Sequence, residues 1–338
     1  MSLVSKTLSS GNALNYTNIA LMLISTVLAF ILPFQLFLFS YAVLGPLHYL
    51  TEISWLDKRN FFTEKKQDVW LYVLMAALMT WQVIDEKSGL NKYTTTFIVT
   101  AFFYTIIIFF IKNNTAKYFL TIIVFLISTQ LKNNSIEFFI IWFLIMLPTI
   151  IHVFVFTGLF ILYGALKSKS TTGIISLIVF IICACSFYVY TPSVTTQMAG
   201  EYIQKAMQFL SIINKALLYI FNMDGVDSLQ TMVNYPNESL FTHPAAIVVA
   251  RFVAFAYTYH YLNWFSKTTV IKWHEVSKLR LLLISLLWVA SVSIYYLDFT
   301  IGFKVLFLLS ILHVFFEFPL NLQTIKGIGT EIGRRISS

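Results

Sequence analysis

Residues 137–166 read EFFIIWFLIMLPTIIHVFVFTGLFILYGAL. One acid, Glu137, stands at the edge of this stretch, and one histidine, His152, lies inside it. A helix crosses the hydrocarbon core of a bilayer with about 20 apolar residues. This run is longer, so it reads as a transmembrane helix that is tilted or extends past the bilayer, with Pro148 as the expected kink.

Outward from it the same pattern recurs. Further spans are expected near 17–35, 37–55, 69–85, 94–112, 116–131, 172–191, 244–266, 279–297 and 300–321. The fold class is therefore all-α: a polytopic transmembrane helical bundle of about nine or ten spans, organised as a single integral membrane domain over 1–338. The first two spans form nearly one run, with Pro33 and Gly45-Pro46 as local breaks, a run that would admit a re-entrant hairpin. The 116–131 segment is the shortest. One connection, 192–243, is long. Its helical stretch 199–221 reads as an amphipathic helix on the outer surface or a lid, followed by turns at Asp224-Gly225-Val226-Asp227 and Tyr235-Pro236-Asn237.

Composition agrees. Of 338 residues, 58% are hydrophobic and 11% charged, with mean hydropathy +0.77, whereas a soluble domain carries about a quarter charged residues. The net charge of +8 does not point to nucleic acid. The Lys and Arg residues lie in short connections between spans, with no basic stripe interleaved with aromatics. The bilayer is the expected partner. Aromatics make up 17%, which suits both lipid contact and flat apolar ligands. Cys183 and Cys185 sit in an apolar run and read as buried thiols rather than a disulfide framework or metal site. The polar N-terminus lacks a short apolar core with a cleavage site, so the first apolar stretch reads as a retained span.

Charge sets the expected orientation. With the tail (Lys326, Arg334, Arg335) in the cytoplasm, the cytoplasmic connections hold Lys58, Arg59, Lys65, Lys66, Lys112, Lys117, Lys167, Lys169, Lys267, Lys272, Lys278 and Arg280. The outer ones hold Lys87, Lys92, Lys132, Lys205 and Lys215. This follows the positive-inside rule and expects a multi-pass protein of the cell membrane with both termini cytoplasmic.

Four histidines lie within spans: His48, His152, His260 and His313. Ionisable groups in hydrocarbon cost several kcal/mol unless paired, solvated or bound, and so mark function by default. His48, His260 and His313 lie about six to eight residues from the cytoplasmic ends of their spans, roughly 9–12 Å deep. His152 is farther from the end of its long span. Isolated histidines that bond neighbouring helices would not share a depth. Glu52 and Glu317 follow His48 and His313 by four residues and so share their helical faces. They are placed to ligate a metal or to orient a ligating imidazole. Asn263, on a face related to that of His260, with Tyr257, Tyr259, Tyr261, Trp264 and Thr51, lines a cavity or orients dioxygen. An interfacial aromatic belt is the plainer role for Tyr261 and Trp264. His243 and His274 fall outside the layer, and Arg251 sits in the outer half of its span, too far to pair with the carboxylates. There is no phosphate-binding Gly-rich loop, no zincin motif and no mid-span lysine in the last helix for a retinal Schiff base.

Leu44-Gly45-Pro46-Leu47-His48 followed by Glu52, Ile151-His152-Val153-Phe154, Tyr259-His260-Tyr261-Leu262-Asn263-Trp264 and His313-Val314-Phe315-Phe316-Glu317 resemble, in order, four segments of the Brp/Blh family of membrane-integral beta-carotene 15,15'-dioxygenases. Trp264 stands where that family has another histidine. The resemblance implies a helical bundle whose inward histidines hold a non-haem Fe(2+), with His48, His152, His260 and His313 as metal ligands and Glu52, Glu317 and Asn263 as catalytic residues. The partners it implies are a carotenoid or similar apolar polyene and dioxygen, with retinal as product. A proton-coupled transporter with an intramembrane His/Glu relay, or an inactive structural homologue, is the alternative.

Overall fold

A computed structural model describes residues 3–85, 87–130, 140–190 and 200–337 of the chain. Its main helices are α1 (Leu3–Ile31), α2 (Pro33–Lys58), α3 (Lys66–Ile84), α4 (Thr94–Phe110), α5 (Asn114–Thr129), α6 (Ile140–Ser168), α7 (Thr171–Val189), α8 (Glu201–Ile220), α9 (Pro244–Ser266), α10 (Lys278–Leu297) and α11 (Phe299–Ile336). Among the described residues there is no strand. Eight of these helices are long and apolar enough to cross a membrane, and α4 and α5 are shorter apolar helices. The chain is an all-α polytopic membrane protein. Lys132, residues 137–139 of the long span, residue 191 and residues 192–199 of the connection lie outside the described residues.

Prolines coincide with irregular points in the helices. Pro33 does separate two helices: Leu32 leaves helical geometry (φ −134°, ψ 54°) and Pro33 opens α2. At Gly45-Pro46 no hairpin forms, because α2 continues through a π-helical turn at Ser40–Leu44. A proline ring clashes with the carbonyl four residues back in regular α-helix, and a wider turn relieves that clash without breaking the span. Pro148, the expected kink, lies within a π-helical stretch over Ile140–Phe156. α11 runs through Pro319 and, beyond the expected end at 321, continues to Ile336.

The chain forms two compact units: Met1–Leu44, Ile150–Lys272 and Thr324–Ser338 make the first, and Gly45–Thr149 and Trp273–Gln323 the second. In the first unit α9 is central. It packs against α1, the start of α2, α7 and α8, and 89% of its apolar window is buried. A helix enclosed this way faces protein on every side, so its polar side chains must find partners inside. Ser40 and Thr258 share a 2.7 Å hydrogen bond. Asn18 Oδ1 accepts from Ser266 (3.0 Å) and Tyr259 (3.3 Å). α8 lies against α9 and α2, burying Leu210, Asn214, Ala216 and Leu218. The tail is pinned as well: Arg335 donates to the Leu166 carbonyl near the end of α6 (3.0 Å), and a Cβ at Gly327 would collide with the Tyr163 ring.

In the second unit α4 packs on both α3 and α5. Lys117, expected in a cytoplasmic connection, instead lies in α5, 1% exposed, with its ammonium 3.0 Å from the Asp68 carboxylate. Tyr104 donates to the Asp68 carbonyl (3.1 Å), and Tyr72 and Thr105 share a 2.7 Å hydrogen bond. By contrast, only 17% of the α10 window is buried, as suits a helix facing lipid. Its Ile284 closes a cluster with Tyr49 and Leu50, flanked by Leu47, Trp288 and Leu309.

Candidate metal centre

In the second unit the π-helical turn ends as Gly45-Pro46 begins the segment carrying His48 and Glu52. One α-turn apart, their side chains meet: His48 Nε2 lies 3.0 Å from Glu52 Oε2, with both residues almost fully buried. Tyr49 and Leu50, held in the Ile284 cluster, fix the rotation of this segment. α11 supplies His313, whose ring lies edge-on to that of His48, with centroids 5.5 Å apart and planes at 85°. The Tyr49 ring packs on His313 at 5.4 Å.

His48, Glu52 and His313 each offer a ligand atom, and these atoms lie within 4.8 Å of one another. Around a first-row metal at about 2.1 Å, donors at right angles are about 3.0 Å apart and opposite donors about 4.2 Å. The His48–Glu52 distance matches the first. Glu317, one turn after His313, is buried as well. Two buried acids beside two imidazoles favour a bound cation. These residues fit a divalent transition metal.

Thr51 donates to the carbonyls of Leu47 (2.8 Å) and His48 (2.9 Å), so its hydroxyl serves its own helix. Asn321 escaped the sequence reading. It extends the His313–Glu317 face by a further turn and is 2% exposed, with neither amide atom hydrogen-bonded. Its signal was the repeated four-residue spacing 313, 317, 321.

The first unit holds the other two histidines. His152 in α6 and His260 in α9 bring their rings together, with centroids 5.0 Å apart and planes at 62°. Each offers a ring nitrogen within 4.8 Å of the other. His260 Nδ1 lies 2.8 Å from the Thr157 hydroxyl. Asn263 is buried and sits 3.5 Å from the Tyr259 hydroxyl, within the polar group that also holds Asn18 and Ser266. Tyr257, Tyr259, Tyr261 and Trp264 are all buried. For Tyr261 and Trp264 this replaces the expected lipid-facing belt with packing inside the helices, because α9 is enclosed. Arg251 donates to the Tyr190 carbonyl (3.4 Å) and lies over the Phe30 ring. His243 pairs with Asp224 at 2.9 Å, and His274 lies beside Trp273.

Comparison with protein-family models, with curated proteins and with solved structures found no match.

Proposed function

We propose that the protein is a membrane-integral non-haem iron oxygenase that acts on a long apolar polyene. The observation that carries this reading is the buried group of His48, Glu52 and His313, with ligand atoms within 4.8 Å of one another. Two histidines and one carboxylate are the donor set of ferrous oxygenases that leave coordination positions open. Bound Fe(2+) would supply the activation of dioxygen.

The chain's own residues do the rest. Glu52 fixes the His48 ring through their 3.0 Å contact. Glu317 adds a second negative charge that favours a divalent ion. The Tyr49 ring holds His313 in place. The apolar surroundings exclude water and admit substrate from the bilayer. The Brp/Blh-like segments supply the substrate class: one oxygen atom of dioxygen goes to each carbon of the central double bond of beta-carotene. That bond breaks and two molecules of retinal form, with no external reductant. The distribution of Lys and Arg supports a cell-membrane location with both termini cytoplasmic.

Elemental analysis of the purified protein tests this directly. The expected result is one iron per chain, absent from His48→Ala and His313→Ala, together with dioxygen uptake and loss of pigment in a carotenoid-producing host. Folded wild-type protein free of transition metal would sink it. A proton relay that begins at the His48–Glu52 pair, 3.0 Å apart, would instead make the protein a proton-coupled carrier, the second reading. Proton flux in liposomes without metal would select that one.

A further inference from the structure

We infer that Thr157 is a positioning residue that holds His260 in its Nδ1–H tautomer and so makes Nε2 the nitrogen that carries the acceptor lone pair. Two distances carry the argument. The Thr157 hydroxyl lies 2.8 Å from the Val153 carbonyl oxygen and 2.8 Å from His260 Nδ1. A carbonyl oxygen cannot donate, so the single hydroxyl proton goes to Val153. The threonine oxygen then meets Nδ1 with its lone pairs and accepts from an N–H there. The opposite arrangement would aim the proton at Nδ1 and leave two oxygens at 2.8 Å with no hydrogen between them. In a neutral imidazole one nitrogen donates and the other accepts, so fixing Nδ1–H fixes Nε2 as the acceptor.

The geometry around the pair favours this assignment. Thr157 is 1% exposed and His260 6%, so bulk water does not scramble the choice. Thr157 sits at the junction where the π-helical stretch Ile140–Phe156 gives way to regular helix. The same segment carries His152, whose ring is 5.0 Å from that of His260. The winding that absorbs Pro148 thus runs up to the hydroxyl that orients the neighbouring imidazole. An oriented Nε2 is what a metal or a transferred proton requires, and outer partners of this kind fix both the tautomer and the ring orientation of ligating histidines. The tautomer assignment stands on the hydrogen bonds alone.

The test is nitrogen-15 NMR of full-length, metal-free protein labelled at histidine, with the His260 signals identified by their loss in His260→Gln. Wild type and Thr157→Ser are expected to show a protonated Nδ1 and an unprotonated Nε2. Thr157→Val, of nearly the same shape but with no hydroxyl, is expected to lose that preference. A wild-type spectrum with the proton on Nε2 overturns the proposal whether or not any variant folds, as does an unchanged tautomer in Thr157→Val.

Discussion

The two units bury their polar groups by different means. The second unit buries ionisable side chains together: Lys117 against Asp68, and Glu52 and Glu317 with His48 and His313. The first unit relies on neutral partners, Ser40 with Thr258, Thr157 with His260, and Tyr259 with Asn18. Its buried cations turn to backbone oxygens, Arg251 to Tyr190 and Lys215 to Val233. The same residue type therefore serves two ends. A histidine beside carboxylates belongs to a cation site, and a histidine beside a hydroxyl is oriented without added charge. Charge removed from the second unit should be costly, and charge removed from the first should not.

The strongest break in this contrast would come at Lys117. Lys117→Met leaves the Asp68 carboxylate buried without its cation, and such losses cost about 3–5 kcal/mol. Thermal unfolding in detergent should show that fall. Adding Asp68→Leu to Lys117→Met should restore most of it, because a buried ion pair often exchanges with apolar residues at little net cost. A mild single variant would mean that Lys117 reaches solvent and that the unit does not depend on the pair. Iron content per folded chain should not change, which separates stability from metal binding.

Next in size are the ligands. His48→Ala or His313→Ala should weaken metal binding by more than about 100-fold, since removing a ligand should cost more than removing an outer partner. Dialysis against a metal buffer followed by elemental analysis would measure it. Glu317→Gln keeps the shape and removes one charge. It should cost roughly 10–100-fold in affinity as an outer partner. A loss as large as that of His48→Ala would make Glu317 a direct ligand.

Much of this division was legible in the sequence, and the reasons are physical. The spans announced themselves because the bilayer demands long apolar runs. His48, Glu52, His313 and Glu317 stood out because ionisable groups are expensive there and because four-residue spacing places them on one face. The π-helical turns were not legible. Whether a backbone takes the wider turn depends on how the packed neighbours accommodate Pro46 and Pro148, and no local residue pattern encodes that. Thr157 was hidden for a related reason: a β-branched hydroxyl residue in an apolar run fits lipid contact as readily as hydrogen bonding. The Lys117–Asp68 pair was missed because the positive-inside rule assigns a lysine between two spans to solvent, and its partner is 49 residues away in the chain. Pairing at that distance is set by how α5 packs in the unit.

A smaller effect is expected in the first unit at Thr258. Thr258→Val removes the 2.7 Å bond to Ser40 and leaves that hydroxyl to find a carbonyl of its own helix. Interhelical hydrogen bonds of this kind contribute about 0.6 kcal/mol on average, so the melting temperature should fall slightly. A loss comparable with that of Lys117→Met would erase the distinction between neutral and charged interiors.

The most discriminating small effect is one of opposite sign. Lys215 lies in α8, outside the expected spans, and donates to the Val233 carbonyl at 3.4 Å. Burial pushes its ammonium below the ordinary lysine range. The folded state therefore holds that proton less tightly than the unfolded chain does. At neutral pH the charged form is a liability that eases as pH rises through the lowered folded value toward the unfolded one. Lys215→Met should thus raise the melting temperature slightly at neutral pH, and the gain should shrink in alkaline buffer. Removing a lysine would then strengthen one unit while Lys117→Met weakens the other. A loss at Lys215 that is independent of pH would show instead that its contact with Val233 outweighs the cost of burying it.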